Sequence, residues 1–441
     1  MTPSIEEKEI STVLQSFPSL QMDEDKRRDI ASHIRREREL LIQMKRRKRY
    51  AQVIGGVAAS FALLFIAYQW IPSEVTPSVP SAQQMNREDG QNTYASGTTL
   101  STGTVITIDR QIQAYVDEAL DKTNAAYHPE NMMVIVTDPN TGEILGMGNR
   151  RKHEDYDSLE ESVRAVPDPV VAFPIVTLAA AIEEGMYSSN ETYDSGTYEV
   201  VPGKPIKDHN GGIGWGEITY LEGIQRSSNV AFAKLGYERL PKDSLGKYLR
   251  RFGFGAKTDT DIFGEEAGQI PKMDTPYDAA MAAMGHAGSV TAIQQVAAVG
   301  AIANGGELLT PHLSKQAKSG TTDSYKGRRV VSEETAKQVR EILEAVVNNR
   351  PGSGTDFSIK EHAVAGRTGI AGKRDQQGNF IEGKYTYSFI GFAPSDDPKL
   401  LVYIAVDNPN TDLWLGLWGK GIVAPPFKEI MGNSLQYLQE R

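Results

Sequence analysis

The chain has 441 residues, 39% of them hydrophobic, with 18 Tyr, 13 Phe and 4 Trp, enough for two or three domains or one large domain with appendages. Its formal charge is −10, yet residues 1–50 hold 12 Lys+Arg against 9 Asp+Glu, so the acidity lies in the remainder and argues against nucleic acid as a partner. Cysteine is absent, which excludes disulfides, thiol nucleophiles and cysteine-based metal sites.

Residues 1–49 read as two short helices. In "SIEEKEISTVLQSF" the apolar Ile10, Val13, Leu14 and Phe17 fall at helical spacing before Pro18 breaks the pattern. "MDEDKRRDIASHIRRERELLIQM" follows, with acids in its first turn and bases further on. The basic run Lys45–Arg49 then precedes Tyr50–Ile71, a segment without a single charge. At about 1.5 Å per residue that segment is long enough to cross a bilayer. Tyr68 and Trp70 stand where interfacial aromatics belong, and the basic run puts residues 1–49 on the cytoplasmic side. A cleaved leader is the competing reading, but a charged stretch of this length is far longer than a usual n-region. Residues 72–103, rich in Pro, Ser, Thr, Gln, Asn and Gly, read as a flexible linker spanning roughly 30 Å root-mean-square.

From 104 to 441 the pattern is that of a mixed globular domain. An amphipathic helix opens at Asp109, with Ile112, Val116, Ala119 and Leu120 on one face. "MMVIVTDPNTGEILGMGN" reads as strand, tight turn, strand. Helices fill the middle, including 171–184 and a helix from a Thr291 cap to Gly305. Strands return in "HAVAGRTGIAG", "KYTYSFIGFAP" and "KLLVYIAVDNP". Strands at both ends and helices between predict an α+β fold, with one antiparallel sheet flanked by a helical body.

Three short features carry the chemistry: the helix start at 167–174, "QRSSNVAFAKLG" with Ser227-Ser228-Asn229, and "VAGRTGIAG" with Arg367-Thr368-Gly369. Each is weak alone; their order and flanking text are what count. The Gly211–Gly216 run "GGIGWG" has no Gly-Lys-Ser/Thr after it and is no phosphate loop. Seven histidines (33, 128, 153, 209, 286, 312 and 362) show no paired spacing, so neither a metal nor a cofactor is expected.

With these features in view, the stretch from about Ile108 onward resembles the transpeptidase domain of penicillin-binding proteins, the serine acyltransferases that cross-link peptidoglycan. "TDPNTGEILGM" matches the family's opening hairpin, and the three features match its S-x-x-K helix start, its S-x-N loop and its "GKTGTA" strand in the right order. The resemblance implies a β-lactamase/D,D-transpeptidase-like domain, which in this chain would follow the single transmembrane helix read at residues 50–71. It also places Val171 where the family has its nucleophilic serine and Pro174 where it has the lysine base. Valine has no attacking atom and proline no base, while proline is tolerated in a first helical turn.

By the same resemblance, Ser227, Asn229, Arg367, Thr368 and Gly369 are expected to bind substrate. Arg367 would pair with a peptide carboxylate, with the Thr368 hydroxyl beside it, and Ile370 makes the strand end less polar. A helix cap at Ser227–Asn229 and a plain ion pair at Arg367 are the competing structural readings.

The expectation is therefore a membrane-anchored, catalytically inactive homologue. Its domain would lie outside the plasma membrane, with a peptidoglycan stem peptide or cell-wall synthesis proteins as partners. The helical tail, basic run and apolar span also resemble the inner half of single-pass bacterial regulators such as anti-sigma factors, which makes a transmembrane sensor the alternative. An active transpeptidase or carboxypeptidase would need a substitute nucleophile such as Ser162, Thr177 or Ser228, none followed by a lysine three residues on.

Overall fold

A computed structural model of the chain describes residues 105–152, 162–164, 166–167, 170–315, 327–374, 380–410 and 420–441. The predicted cytoplasmic, apolar and linker segments lie outside these residues, as do Asp168 and Pro169. Among the described residues no helix is long and apolar enough to cross a membrane.

Five strands form the predicted sheet: β1 Asn131–Thr137, β2 Ile144–Arg151, β3 Ala365–Arg374, β4 Phe380–Ala393 and β5 Leu400–Asp407. Their order is β3–β4–β5–β1–β2, every pair antiparallel, so the two ends of the domain's sequence meet at the β5–β1 seam. Both faces are covered, which is why β1 and β5 read as nearly continuous apolar runs rather than alternating ones. Val134, Val136, Phe389, Val402 and Ile404 enter a core with helices α1 (Arg110–Tyr127) and α7 (Lys420–Gln439). Ile135, Ala365, Ile390, Leu401 and Tyr403 alternate to the opposite face and pack against the helical body.

That body is built around α2 (Ala172–Glu183) and α5 (Ala292–Ala303), with α3 (Asn229–Ala233), α4 (Ser244–Arg251) and α6 (Glu333–Asn348) around them. Helix α5 is buried along its whole length, and the two glutamines of its otherwise apolar sequence are hydrogen-bonded there. Thr291 and Gln294 close its start with a capping box. Asp109 caps α1 by accepting hydrogen bonds from the Gln111 and Ile112 amides.

The ends of four strands are tied together by charge. Lys373 on β3 bridges Glu130, just before β1, at 2.9 Å and Asp407 on β5 at 2.7 Å. Lys384 on β4 and the Asn408 amide also reach Glu130. Hydrogen bonding from Lys373, reinforced by Lys384 and Asn408, holds the Glu130 carboxyl down to about 2 against the desolvation that opposes it. Because the folded value lies below the ordinary 4.5, protonation favours the unfolded chain. The stabilisation is complete above about pH 4.5 and is lost as pH falls toward 2. Urea midpoints measured from pH 5 to pH 3 should therefore fall more steeply for the parent than for Glu130→Gln.

Candidate functional site at the edge strand

Helix α2 begins against β3, the edge strand of the sheet, where residues 365–369 are buried. Val171 occupies its N-cap position, is 2% exposed, and has no side-chain acceptor to offer the first turn. The Gln295 carbonyl oxygen on α5 does that job instead, accepting from the Ala172 amide at 3.3 Å, while its amide donates to the Tyr403 hydroxyl at 3.5 Å. Burial pushes that phenol up to about 12. The helix start is thus hung between α5 and the sheet.

Two glycines make room for it. A Cβ built on Gly369 of β3 would lie 2.6 Å from the Ser388 hydroxyl oxygen, 3.1 Å from Val171 Cβ and 3.3 Å from Val171 Cγ2. The valine side chain therefore rests directly on the glycine of the Arg-Thr-Gly strand. Gly285, at φ +79°, approaches from the other side, where a Cβ would meet the Val170 carbonyl at 2.4 Å and Pro174 Cδ at 3.2 Å.

Arg367 is 8% exposed and lies 4.7 Å above the ring of Phe232 on α3, which brings the Arg-Thr-Gly strand to the helix that follows Ser-Ser-Asn. Its Nη1 donates to the Thr368 carbonyl at 3.0 Å, and among the described residues no carboxylate forms an ion pair with it. The plain ion pair considered from sequence is not what the strand builds. Burial pushes the guanidinium down to about 9, so it is still charged at neutral pH. The expected Thr368 hydroxyl beside it needs correction. Strand alternation sends Thr368 and Ile370 to the opposite face, where Ile370 packs near the α1–α7 core, so Thr368 offers Arg367 its carbonyl.

The Ser-Ser-Asn loop is held by a residue that motif reading passed over. Asp208 is 1% exposed; its carboxylate accepts from the Ser228 hydroxyl at 2.8 Å, the Val230 amide at 3.1 Å and the Gly196 amide at 2.8 Å. Ser228 in turn caps α3 through the Ala231 amide. Ser227 takes a left-handed φ of 57°, a conformation costing an L-residue about 1 kcal/mol or more, and Asn229 donates its amide to the Lys207 carbonyl at 2.9 Å. The capping reading thus holds for Ser228, while Ser227 is buried in the strained turn before it.

Of the substitute nucleophiles, Ser228 is fully buried against Asp208, and the Thr177 hydroxyl bonds the Phe173 and Ala283 carbonyls; Ser162 is buried. Ser388, opposite Gly369 in register, is the hydroxyl standing at the head of the site, where it donates to the Gly369 carbonyl at 3.3 Å. Only the strand register could have revealed it.

A family model, the penicillin binding protein transpeptidase domain, matches residues 132–432. Stage V sporulation protein D of Bacillus subtilis is 40% identical over 351 residues, covering 75% of this chain and 52% of the relative. Peptidoglycan D,D-transpeptidase FtsI of Escherichia coli is 26% identical over 341 residues, covering 75% and 55%. The apo transpeptidase domain of Burkholderia pseudomallei penicillin-binding protein 3 superposes with a TM-score of 0.66 at 26% identity, covering 77% of this chain and 97% of that one. Mycobacterium tuberculosis penicillin-binding protein 3 gives 0.66 at 27%, covering 76% and 79%. The chain belongs to the penicillin-binding protein transpeptidase family. It spans about half the length of the curated relatives it matches.

The seat of α2 can be probed directly. Gly369→Ala should destabilise the fold by about 1–3 kcal/mol through overpacking, and adding Val171→Ala should recover part of that loss in a double-mutant cycle read by urea unfolding. Asp208→Ala, which strips three buried donors of their acceptor, should destabilise by about 3 kcal/mol in the same assay.

Proposed function

We propose that this chain is a catalytically silent penicillin-binding-protein homologue, anchored in the plasma membrane by residues 50–71, that serves peptidoglycan assembly as a scaffold or stem-peptide binder. The observation that carries the reading is the pairing of a kept framework with Val171 and Pro174 at the nucleophile and base positions. Losing the nucleophile of a hydroxyl-based acyl-transfer site costs on the order of 10⁶ in rate, or roughly 8 kcal/mol of barrier. Relatives whose names give D,D-transpeptidase or penicillin-binding protein support cell-wall peptides as the ligand class.

Arg367 supports the binding half of the reading. A buried guanidinium that has a carbonyl and an aromatic face but no carboxylate partner among the described residues has its desolvation only partly compensated. A ligand carboxylate would supply the missing partner, bidentately where geometry allows. The Ser-Ser-Asn loop, held by Asp208 in a strained turn, keeps a polar wall nearby.

Fluorescent penicillin incubated with the purified chain should leave no covalent label; stoichiometric labelling would overturn the silent reading. A peptide ending in D-Ala-D-Ala should bind reversibly in calorimetry, with affinity about 10-fold lower or worse in Arg367→Ala. Combining Val171→Ser with Pro174→Lys should restore measurable penicillin labelling.

A further inference from the structure

The Gly211–Gly216 run has no part in the site described above, yet the chain fastens it closely. Asn210 clasps Gly214 twice: its side-chain amide donates to the Gly214 carbonyl at 2.9 Å, and its side-chain oxygen accepts from the Gly214 amide at 3.0 Å. The Thr197 hydroxyl donates to the Gly212 carbonyl at 2.9 Å. The Ser195 hydroxyl donates to the Gly216 carbonyl at 2.7 Å and accepts from the Trp215 amide at 2.6 Å. Gly214 takes a φ of +75°, and a Cβ there would lie 2.6 Å from the Ser195 backbone, so no side chain fits. Asp208, whose carboxylate holds Ser228, starts the same loop by accepting from the Gly212 amide through its own carbonyl.

This rigid loop presents a mixed surface. Ile213 at its tip is 47% exposed. Trp215 is half-buried, with the Arg226 guanidinium 5.0 Å from its ring centre and the His209 ring at 5.2 Å. Its indole N–H donates to no group among the described residues. Arg226 is held in turn, its Nε donating to Glu222 at 2.8 Å and its carbonyl lying 3.0 Å from His209 Nε2. Desolvation holds the His209 imidazole down to about 4, so it is neutral at pH 7. Lys207, whose stem lies along Gly212, and the exposed Asp194 and Glu217 at the loop's end are of opposite sign, so the surface selects neither an anion nor a cation.

One indole, one aliphatic tip and planar polar side chains already fixed by one another suit a neutral ring that carries C–H faces together with hydroxyl and acetamido groups. One isoleucine and part of an indole fall far short of the about 800 Å² that each partner in a stable protein interface buries. We propose that this loop is a saccharide subsite that takes the amino sugar bearing the stem peptide. Arg226 immediately precedes Ser227, so a sugar on the loop continues into a peptide on the Ser-Ser-Asn wall. The assignment rests on the stem-peptide reading above and extends it along the same ligand.

The probe for the loop alone is the N-acetylglucosaminyl–N-acetylmuramoyl disaccharide as its neutral amide, added to the full chain in a sugar-free detergent. Saturation-transfer NMR should show its acetamido and ring protons in contact with the protein. That signal should fall about three-fold or more in Ile213→Ser and in Trp215→Ala, and persist in Trp215→Phe, which keeps a ring. In calorimetry the disaccharide pentapeptide should bind about 10-fold tighter than the free pentapeptide. Ile213→Ser should remove that gap while leaving the free pentapeptide's affinity and the melting temperature unchanged. No transfer to the disaccharide amide, transfer unchanged in both variants, or equal affinity of the two pentapeptide ligands overturns the saccharide subsite. A free pentapeptide that fails to bind while the disaccharide amide does overturns the stem-peptide reading alone.

Discussion

The contact on which the site depends is carbon on carbon: the side chain of Val171 lying on the bare Cα of Gly369. Here the helical body meets the edge of the sheet, and the lack of a side chain on β3 sets how near α2 can come. Gly285 performs the matching service behind the helix, and Gln295 supplies the acceptor that valine lacks. Dispersion and the exclusion of water hold this junction, with polar groups serving only to satisfy the helix end. Where the sequence resemblance would look for a hydroxyl, the chain has a valine that belongs to the buried core of the helical body.

Beside that apolar junction stands one buried charge. Arg367 keeps its proton at neutral pH although burial penalises it, and its compensation among the described residues amounts to one carbonyl and one aromatic face. The two halves of the site differ physically. Around Val171 it is closed by packing, and around Arg367 a buried cation has no carboxylate partner among the described residues.

The fold was largely readable from the chain because its signals are local and periodic. The Asp109 cap, the hairpin around Asp138–Gly142, the Thr291 cap and the three late apolar strands all stand where residue spacing places them. The site was only half readable, because what remained depends on register and on residues distant in sequence. Thr368 reads as a neighbour of Arg367 in one dimension, whereas the pleat separates their side chains. Ser388 acquires meaning only opposite Gly369, and Asp208 only when three donors from two other segments converge on its carboxylate. Gln295 resembles any other glutamine until the start of α2 is seen to need an acceptor.

The fastening of Ser228 and Val230 by Asp208 bears on how such chains are sorted. A loop that must satisfy a buried carboxylate has reason to keep Ser228, its middle residue, and its turn whether or not any bond is ever broken beside it. The middle position of such a serine-x-asparagine string therefore reports an inherited architecture, whereas Ser227, in the left-handed turn before it, is the position whose retention that carboxylate does not explain.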